Sequence, residues 1–156
     1  MWQQVCRFTV DGIPKATPRT KGKAVVMKGK KPFARVYTPD TADNWKMQVM
    51  LAIREQLPPQ PLLDPIRVEI VFRFTRPKSH HVNSDHRRDL KKAAPKWHTG
   101  KPDVDNLGKA VMDVLTQCGV FHDDAQVCLV SAEKRYANRD ERPGMAIAVH
   151  KWHPLV

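Results

Sequence analysis

The sequence predicts an α+β fold in which two main helices pack on one face of a small mixed β-sheet of about four to five strands. Three observations lead there. Residues 66–74 alternate apolar and polar with the period of a strand. Residues 104–118 repeat apolar side chains at helical spacing and run into Gly119. The elements follow in the order strand, basic loop, helix, strand, basic loop, helix, strand, strand, which suits helices segregated to one side of a sheet. With 156 residues, 41% of them hydrophobic, the chain reads as one domain with a sizeable core.

The first strand is expected over Val5–Val10, where Cys6, Phe8 and Val10 alternate with Arg7 and Thr9, and Asp11-Gly12 turns the chain. Pro14, Pro18, Gly22, Gly29 and Pro32 then mark a loop or irregular hairpin, with a possible short strand at Ala24–Met27. A helix follows from Asp40 or Thr41 to about Leu57. Pro39 precedes it, Pro58-Pro59 stops it, and Trp45, Val49, Ala52, Ile53 and Leu57 form its apolar stripe. In the strand at Ile66–Phe74, Ile66, Val68, Ile70, Phe72 and Phe74 share a face. Arg67, Glu69 and Arg73 take the other, with Val71 as the exception. Residues 77–100 form a long polar segment expected to be a loop that moves when no ligand is bound. The second helix spans about Val104–Cys118. Val127–Tyr136 and Met145–Lys151 are the closing strands, joined by a polar turn through Asn138 and Pro143-Gly144.

The formal net charge is +11, and two segments hold more than all of it. Lys15–Arg35 carries eight basic residues and no acid; Arg76–Lys101 carries eight against Asp85 and Asp89. Such runs can be solvated loops, but two of them flanking a mildly acidic body favour a polyanion, because neutralising phosphates releases counterions. Neither run has an amphipathic helical pattern, and no apolar run approaches a membrane span, so no membrane partner is expected. The N-terminus does not read as a secretory signal. Cys6, Cys118 and Cys128, odd in number and set among apolar residues, read as buried thiols in a reducing cytoplasm.

Acids concentrate in one stretch of this basic chain, KPDVDNLGKAVMDVLTQCGVFHDDAQ, residues 101–126. It holds Asp103 and Asp105, then Lys109 a helical turn later, then Asp123 and Asp124. On a helical wheel Leu107, Ala110, Val111, Val114, Leu115 and Cys118 face the sheet, while Asp105, Lys109, Met112 and Thr116 look outward. An outward Met112 beside Lys109 is a weak hint of a partner surface. Asp103 alone reads equally as a helix N-cap, and Lys109 as the i+4 ion-pair partner of Asp105. Together, oxygen donors without paired Cys or His spacing suit Mg²⁺ or Mn²⁺ rather than Zn²⁺. A carboxylate-held cation can polarise a phosphodiester and activate water, with Lys109 stabilising the charge that develops. His80, His81 and His122 read as surface charge. A strand returning beside the second helix would leave Asp123-Asp124 some ~20 Å from Asp103. Either the Phe121–Ala125 segment folds along the helix, or the third carboxylate comes from elsewhere, such as a second subunit.

The motif at residues 101–127 resembles the signature of the RusA-type Holliday-junction resolvases, small endodeoxyribonucleases common in bacteriophages and prophages. FTRPKSHH at Phe74–His81, EKRY at Glu133–Tyr136 and PGMAIAV at Pro143–Val149 extend the resemblance over nearly the whole chain. It implies a homodimer that binds four-way and other branched DNA by shape and cuts it symmetrically in recombination, repair or phage replication, using Mg²⁺ with Mn²⁺ as substitute. By motif position Asp103, Asp105 and Asp124 resemble the metal-binding carboxylates, Lys109 the catalytic lysine and Asn106 a supporting residue. Basic candidates for DNA contact are Lys15, Arg19 and Lys21 in the first run and Lys78, Arg87, Arg88, Lys91, Lys92 and Lys101 in the second. Two other readings share these residues: a non-catalytic branched-DNA-binding protein, and a metal-dependent ribonuclease.

Overall fold

A computed structural model describes residues 1–16, 21–25, 33–37, 43–82 and 89–154, with backbone alone for 21–25, 33–37 and 43. Strand β1 (Trp2–Asp11) opens the chain, followed by the hairpin β2 (Lys21–Val25) and β3 (Phe33–Tyr37), then helix α1 (Asp43–Arg54). Strand β4 (Ile66–Phe74), helix α2 (Val104–Gln117) and strands β5 (Val127–Tyr136) and β6 (Gly144–Trp152) complete it. The main sheet has four strands in the order β1-β6-β4-β5. Only β4 and β5 run parallel; β6 lies antiparallel between β1 and β4. The α+β class with a mixed sheet is therefore what the chain adopts. The two closing strands, joined by a polar turn, are not sheet neighbours.

Strand β4 is central, and its sequence explains why. Ile66, Val68, Ile70, Phe72 and Phe74 are all buried under the helices, and the alternate residues are half-buried on the other side. Val71, the apolar exception, sits on that other side between Glu133 and Ala146. Trp45, Val49 and Ile53 of α1 and Leu107, Ala110, Val111, Val114 and Leu115 of α2 close one core with Phe8, Ile147 and Val149. Each large buried aliphatic side chain contributes about 1.5–3 kcal/mol of transfer free energy, so the packed face of α2 is what fixes the helix on the sheet. Gly144 starts β6 where a Cβ would lie 2.2 Å from the Val10 carbonyl oxygen, at φ +157°. Only glycine lets β6 come that close to β1. Gly119, at φ +73°, ends α2 with its N–H on Thr116 O and the Val120 N–H on Leu115 O.

Four expectations change. β1 is longer than Val5–Val10, and α1 ends at Arg54, leaving Leu57 exposed beyond it. Its expected start at Asp40 or Thr41 lies outside the described residues. The 77–100 segment is not a free loop where it is described. It forms a 3-10 turn at Lys78–His80, a bridge between His81 and Leu90, and a bridge between Trp97 and Arg135 of β5. Phe74 stacks on His98 at 4.1 Å, and His80 and His98 both meet the Tyr136 ring edge-on, which explains the anchoring. The thiols also differ: Cys6 and Cys118 are half-buried, but Cys128 is exposed, because it lies in the outermost strand of the sheet. Among the described residues, no helix is long and apolar enough to cross a membrane.

Candidate functional site

Helix α2 presents the first two candidate acids at its mouth. Asp103 occupies the N-cap position with extended backbone, yet its carboxylate makes no capping hydrogen bond. The peptide before it, Lys101–Pro102, is cis. Asp103, Asp105, Lys109 and Lys101 are exposed, and Asn106 is half-buried. Asp105 and Lys109 form no ion pair with each other or with another described residue. The carboxylates at the helix N-terminus, where the helix dipole favours negative charge, thus remain uncommitted to structural bonds.

Their position is set by a residue that sequence reasoning missed. Lys134, on β5, sends its Nζ to Gly100 O and Pro102 O, both at 2.6 Å. Next to it, the His98 N–H donates to Lys134 O at 3.3 Å and the Tyr136 N–H to Lys96 O at 3.0 Å. The chain leading to Asp103 is therefore stitched to the end of β5 by main chain and by an ammonium. Burial and the neighbouring Lys134 charge hold His98 below the usual histidine range, and burial with the charges of Arg76, His81 and Lys91 does the same for His80. The one sequence signal for Lys134 was its place in the EKRY motif.

The second acidic pair lies elsewhere. Asp123 caps a 3-10 turn at Asp124–Gln126: its Oδ1 accepts from the Ala125 N–H at 2.8 Å, and Gln126 Oε1 accepts from the Asp123 N–H at 2.8 Å. The Ala125 N–H, and after it a side-chain hydrogen bond with Asp124, pull the Asp123 carboxyl below its ordinary range. The Asp123 side chain is committed to the turn, whereas Asp124 has no part in the reciprocal cap. Both acids border a shallow depression of about 260 Å³ with His122 and with Asp113, Thr116 and Gln117 from the C-terminal half of α2. Phe121 is held by a parallel bridge to Leu62. The segment lies beside Asp113–Gln117, and the stretch of α2 from Asp103 to Asp113, about 15 Å at ~1.5 Å per residue, still separates Asp124 from the helix mouth. Among the described residues no three Asp, Glu, His or Cys side chains converge to hold a metal ion. Among the described residues, Asp124 of the same chain does not join Asp103 and Asp105.

The basic candidates divide. Lys15, Lys78, Lys91 and Lys92 are exposed, with Lys78 on the 3-10 turn after β4 and the Lys91 N–H on His80 O. Lys21 opens β2. Arg19, Arg87 and Arg88 lie outside the described residues. An additional feature is the exposed Trp97, 49% accessible, with Lys96 Nζ 4.4 Å from its ring centroid. A rigidly held aromatic beside cations is the usual furniture of a nucleic-acid surface.

The profile of the family described as Endodeoxyribonuclease RusA matches residues 11–150, from the end of β1 into β6, with both acidic pairs inside it. The chain belongs to the RusA family. It is also 28% identical over 145 residues to the uncharacterized protein YqaN of Bacillus subtilis (strain 168), covering 93% of this chain and 95% of that protein. RusA-family membership makes the chain one of a class of endodeoxyribonucleases that act on DNA junctions and generally depend on a divalent metal. Met112 is half-buried against the core, not outward-facing as its place on the helical wheel predicts. Exposed apolar side chains are spread over the described residues: Met47 and Leu51 on α1 and Leu63 before β4 are among them, as are Leu129 and Val130 side by side on β5.

Proposed function

We propose that this RusA-family chain is a Mg²⁺-dependent, structure-selective endodeoxyribonuclease. On this reading it works as a homodimer that resolves Holliday junctions and other branched DNA by paired nicks. The observation that carries the reading is the pair of uncommitted carboxylates, Asp103 and Asp105, in the midst of exposed lysines. A protein that only bound DNA would gain from neutralising such acids with nearby cations or from removing them, since they repel phosphate.

A two-chain site answers the carboxylate gap. β5 is the outermost strand, and among the described residues, 96–98 alone occupy its free side, near Lys134–Tyr136. Since Lys134 and Tyr136 turn their backbone groups outward, alternation turns those of Val130 and Ala132 outward too. This unpaired edge carries Cys128, Leu129 and Val130, all exposed, where an edge strand left alone would be expected to carry charge. A second copy paired antiparallel about Leu129 or Val130 brings the partner subunit's Asp124 to the end of β5, where Lys134 holds the start of α2. Two-fold symmetry repeats the site, and two equivalent sites match the two equivalent scissile phosphates of a four-way junction.

In such an assembly Asp103, Asp105 and the partner subunit's Asp124 form an all-oxygen donor set that fits Mg²⁺ or Mn²⁺. The cation would supply polarisation of the scissile phosphate and a lower cost of forming hydroxide. The chain's own groups do the rest. Lys109, one turn along the helix from Asp105, sets a positive charge against the equatorial oxygens as negative charge builds on them. Lys101, Lys91 and Lys92 bind flanking phosphates and orient the strand. Lys134 keeps the carboxylates at a fixed height at the helix mouth.

Incubation with a strand-labelled synthetic four-way junction, with and without Mg²⁺, tests this. Cation-dependent nicks in two opposing strands are expected. Tight junction binding with no cutting in either Mg²⁺ or Mn²⁺ would instead make the chain a non-catalytic branched-DNA-binding protein.

A further inference from the structure

A concave pocket of about 430 Å³ opens past the carboxyl ends of the parallel pair β4 and β5. That is where ligands collect in parallel sheets, because the loops leaving both strands diverge there. Its walls are of two kinds. Pro77, Leu90, Ala137 and Pro143 are apolar, while Arg76, Lys78, His81 and Arg139 bring cationic or protonatable groups. Arg76 is locked, its Nε on Ala137 O at 2.9 Å and its Nη1 on Pro95 O at 2.8 Å, with the guanidinium 5.4 Å from the Tyr136 ring centroid. Lys78 and Arg139 are exposed and in no ion pair with a described residue. His81 Nδ1 is buried without a hydrogen-bond partner among the described residues.

The one acid in the lining does not oppose an anion. Glu141 accepts from Arg135 Nη2 at 2.7 Å and Nη1 at 2.5 Å and from the Asn138 N–H at 2.8 Å. The Arg135 guanidinium is the main reason its carboxyl falls to about 2. Its charge is neutralised where it stands, and it remains an acceptor for an N–H donor. The pocket therefore combines apolar walls the size of a flat ring, a fixed acceptor, and cations at the rim.

We propose that this pocket receives a single unpaired nucleotide of the bound DNA, its base between Pro77, Leu90 and Pro143 and its phosphate on Lys78 and Arg139. A duplex phosphate needs only a flat cationic surface; a cavity with apolar walls is built for a base that has left its stack. The branch point of a junction is where such a nucleotide is available at least cost. The same 95–103 segment that carries Arg76's acceptor Pro95 leads to Asp103, so the pocket and the helix mouth share one end of the molecule. The site would register the branch point relative to the carboxylates. It deepens the nuclease reading and rests on it for the identity of the DNA.

The test compares wild type with Lys78→Gln/Arg139→Gln on two labelled probes, a four-way junction and a fully paired duplex of equal length, without cleavage as a readout. The double variant is expected to lose about tenfold or more of junction affinity beyond what it loses on duplex, where only a general charge effect remains. Equal losses on both probes would assign the two cations to duplex backbone and overturn the proposal, as would no loss. A second arm titrates wild-type protein with dAMP and follows the methyl NMR signals of Leu90 and Ala137. Saturable shifts confined to these and neighbouring groups are expected; their absence would overturn the base pocket. A chain that binds junctions without cutting them would fail the nuclease reading alone, since neither arm depends on turnover.

Discussion

Replacing Lys134 by Met removes the ammonium that holds the start of α2 while keeping the length of the side chain. Two hydrogen bonds disappear, to Gly100 O and to Pro102 O, each at 2.6 Å. Hydrogen bonds to a charged group contribute about 1.5–3 kcal/mol when shielded from water. The Pro102 bond is part-buried and takes roughly that value; the Gly100 bond is exposed and adds a few tenths at about the level of a surface pair. The expected loss is therefore about 2–3 kcal/mol. In a domain of this size each kcal/mol moves the melting midpoint by about 2–4 °C, so a fall of roughly 4–12 °C is expected. The main-chain bonds at His98 and Tyr136 remain, so the chain still folds. Asp103 then loses its fixed height, and junction cleavage should drop by at least about tenfold, since misplacement by an ångström costs up to about a hundredfold. Calorimetry and single-turnover cleavage measure the two effects. An unchanged midpoint together with unchanged cleavage would refute the idea that Lys134 sets the helix mouth.

Asp103→Asn and Asp105→Asn should each abolish cleavage while junction binding stays the same or tightens, because a phosphate-repelling charge is removed; gel-shift and cleavage assays on one preparation check this. Lys109→Ala should lower turnover far more than affinity, as expected of a group that acts in the transition state. Neutralising Arg87, Arg88, Lys91 and Lys92 together should flatten the plot of log K against log salt, by about 0.9 for each phosphate no longer neutralised; an unchanged slope would make the segment a solvated connector. Glu141→Gln should destabilise the chain by about 1–3 kcal/mol at neutral pH, from the bidentate Arg135 pair. The Glu141 carboxyl lies at about 2 in the fold against 4.5 ordinarily, so this stabilisation is full above the higher value. It fades as pH falls towards the lower one. The wild-type advantage over the variant in a pH series of unfolding should shrink over that window.

Much of the fold was legible because its elements are locally periodic. Ile66–Phe74 was readable to the residue, since strict alternation reports a strand with one buried face, and α2 was set by its apolar stripe and Gly119. Strand order was not legible. Nothing in the sequence of β6 says that it pairs with both β1 and β4, because sheet partners are chosen by non-local packing. Met112 lies on the flank of the helical wheel, where a small rotation decides between core and solvent. Cys128 sits among apolar neighbours yet is exposed, because β5 is an edge strand. In the site, residue types were legible but not their convergence. A lysine within a strand, as Lys134 is, resembles solvated charge until the chain it clamps is known. The Asp123 to Gln126 spacing is a capping box that could have been read in advance, and it separates the committed carboxylate from Asp124.

The most direct test of the two-chain site mixes two inactive variants. Asp103→Asn and Asp124→Asn chains are purified separately, each expected to leave a four-way junction uncut, and are then allowed to exchange subunits. If Asp124 of one chain completes the site of the other, the mixed dimer holds one site with both changes and one with neither. Nicking of a single strand per junction should then return. At equal mixing its rate should reach roughly a quarter of wild type, since about half the dimers are mixed and each has one of its two sites. If every mixed preparation stays inactive while subunit exchange is demonstrated, each site is contained in one chain, and the two-chain carboxylate set proposed here is wrong.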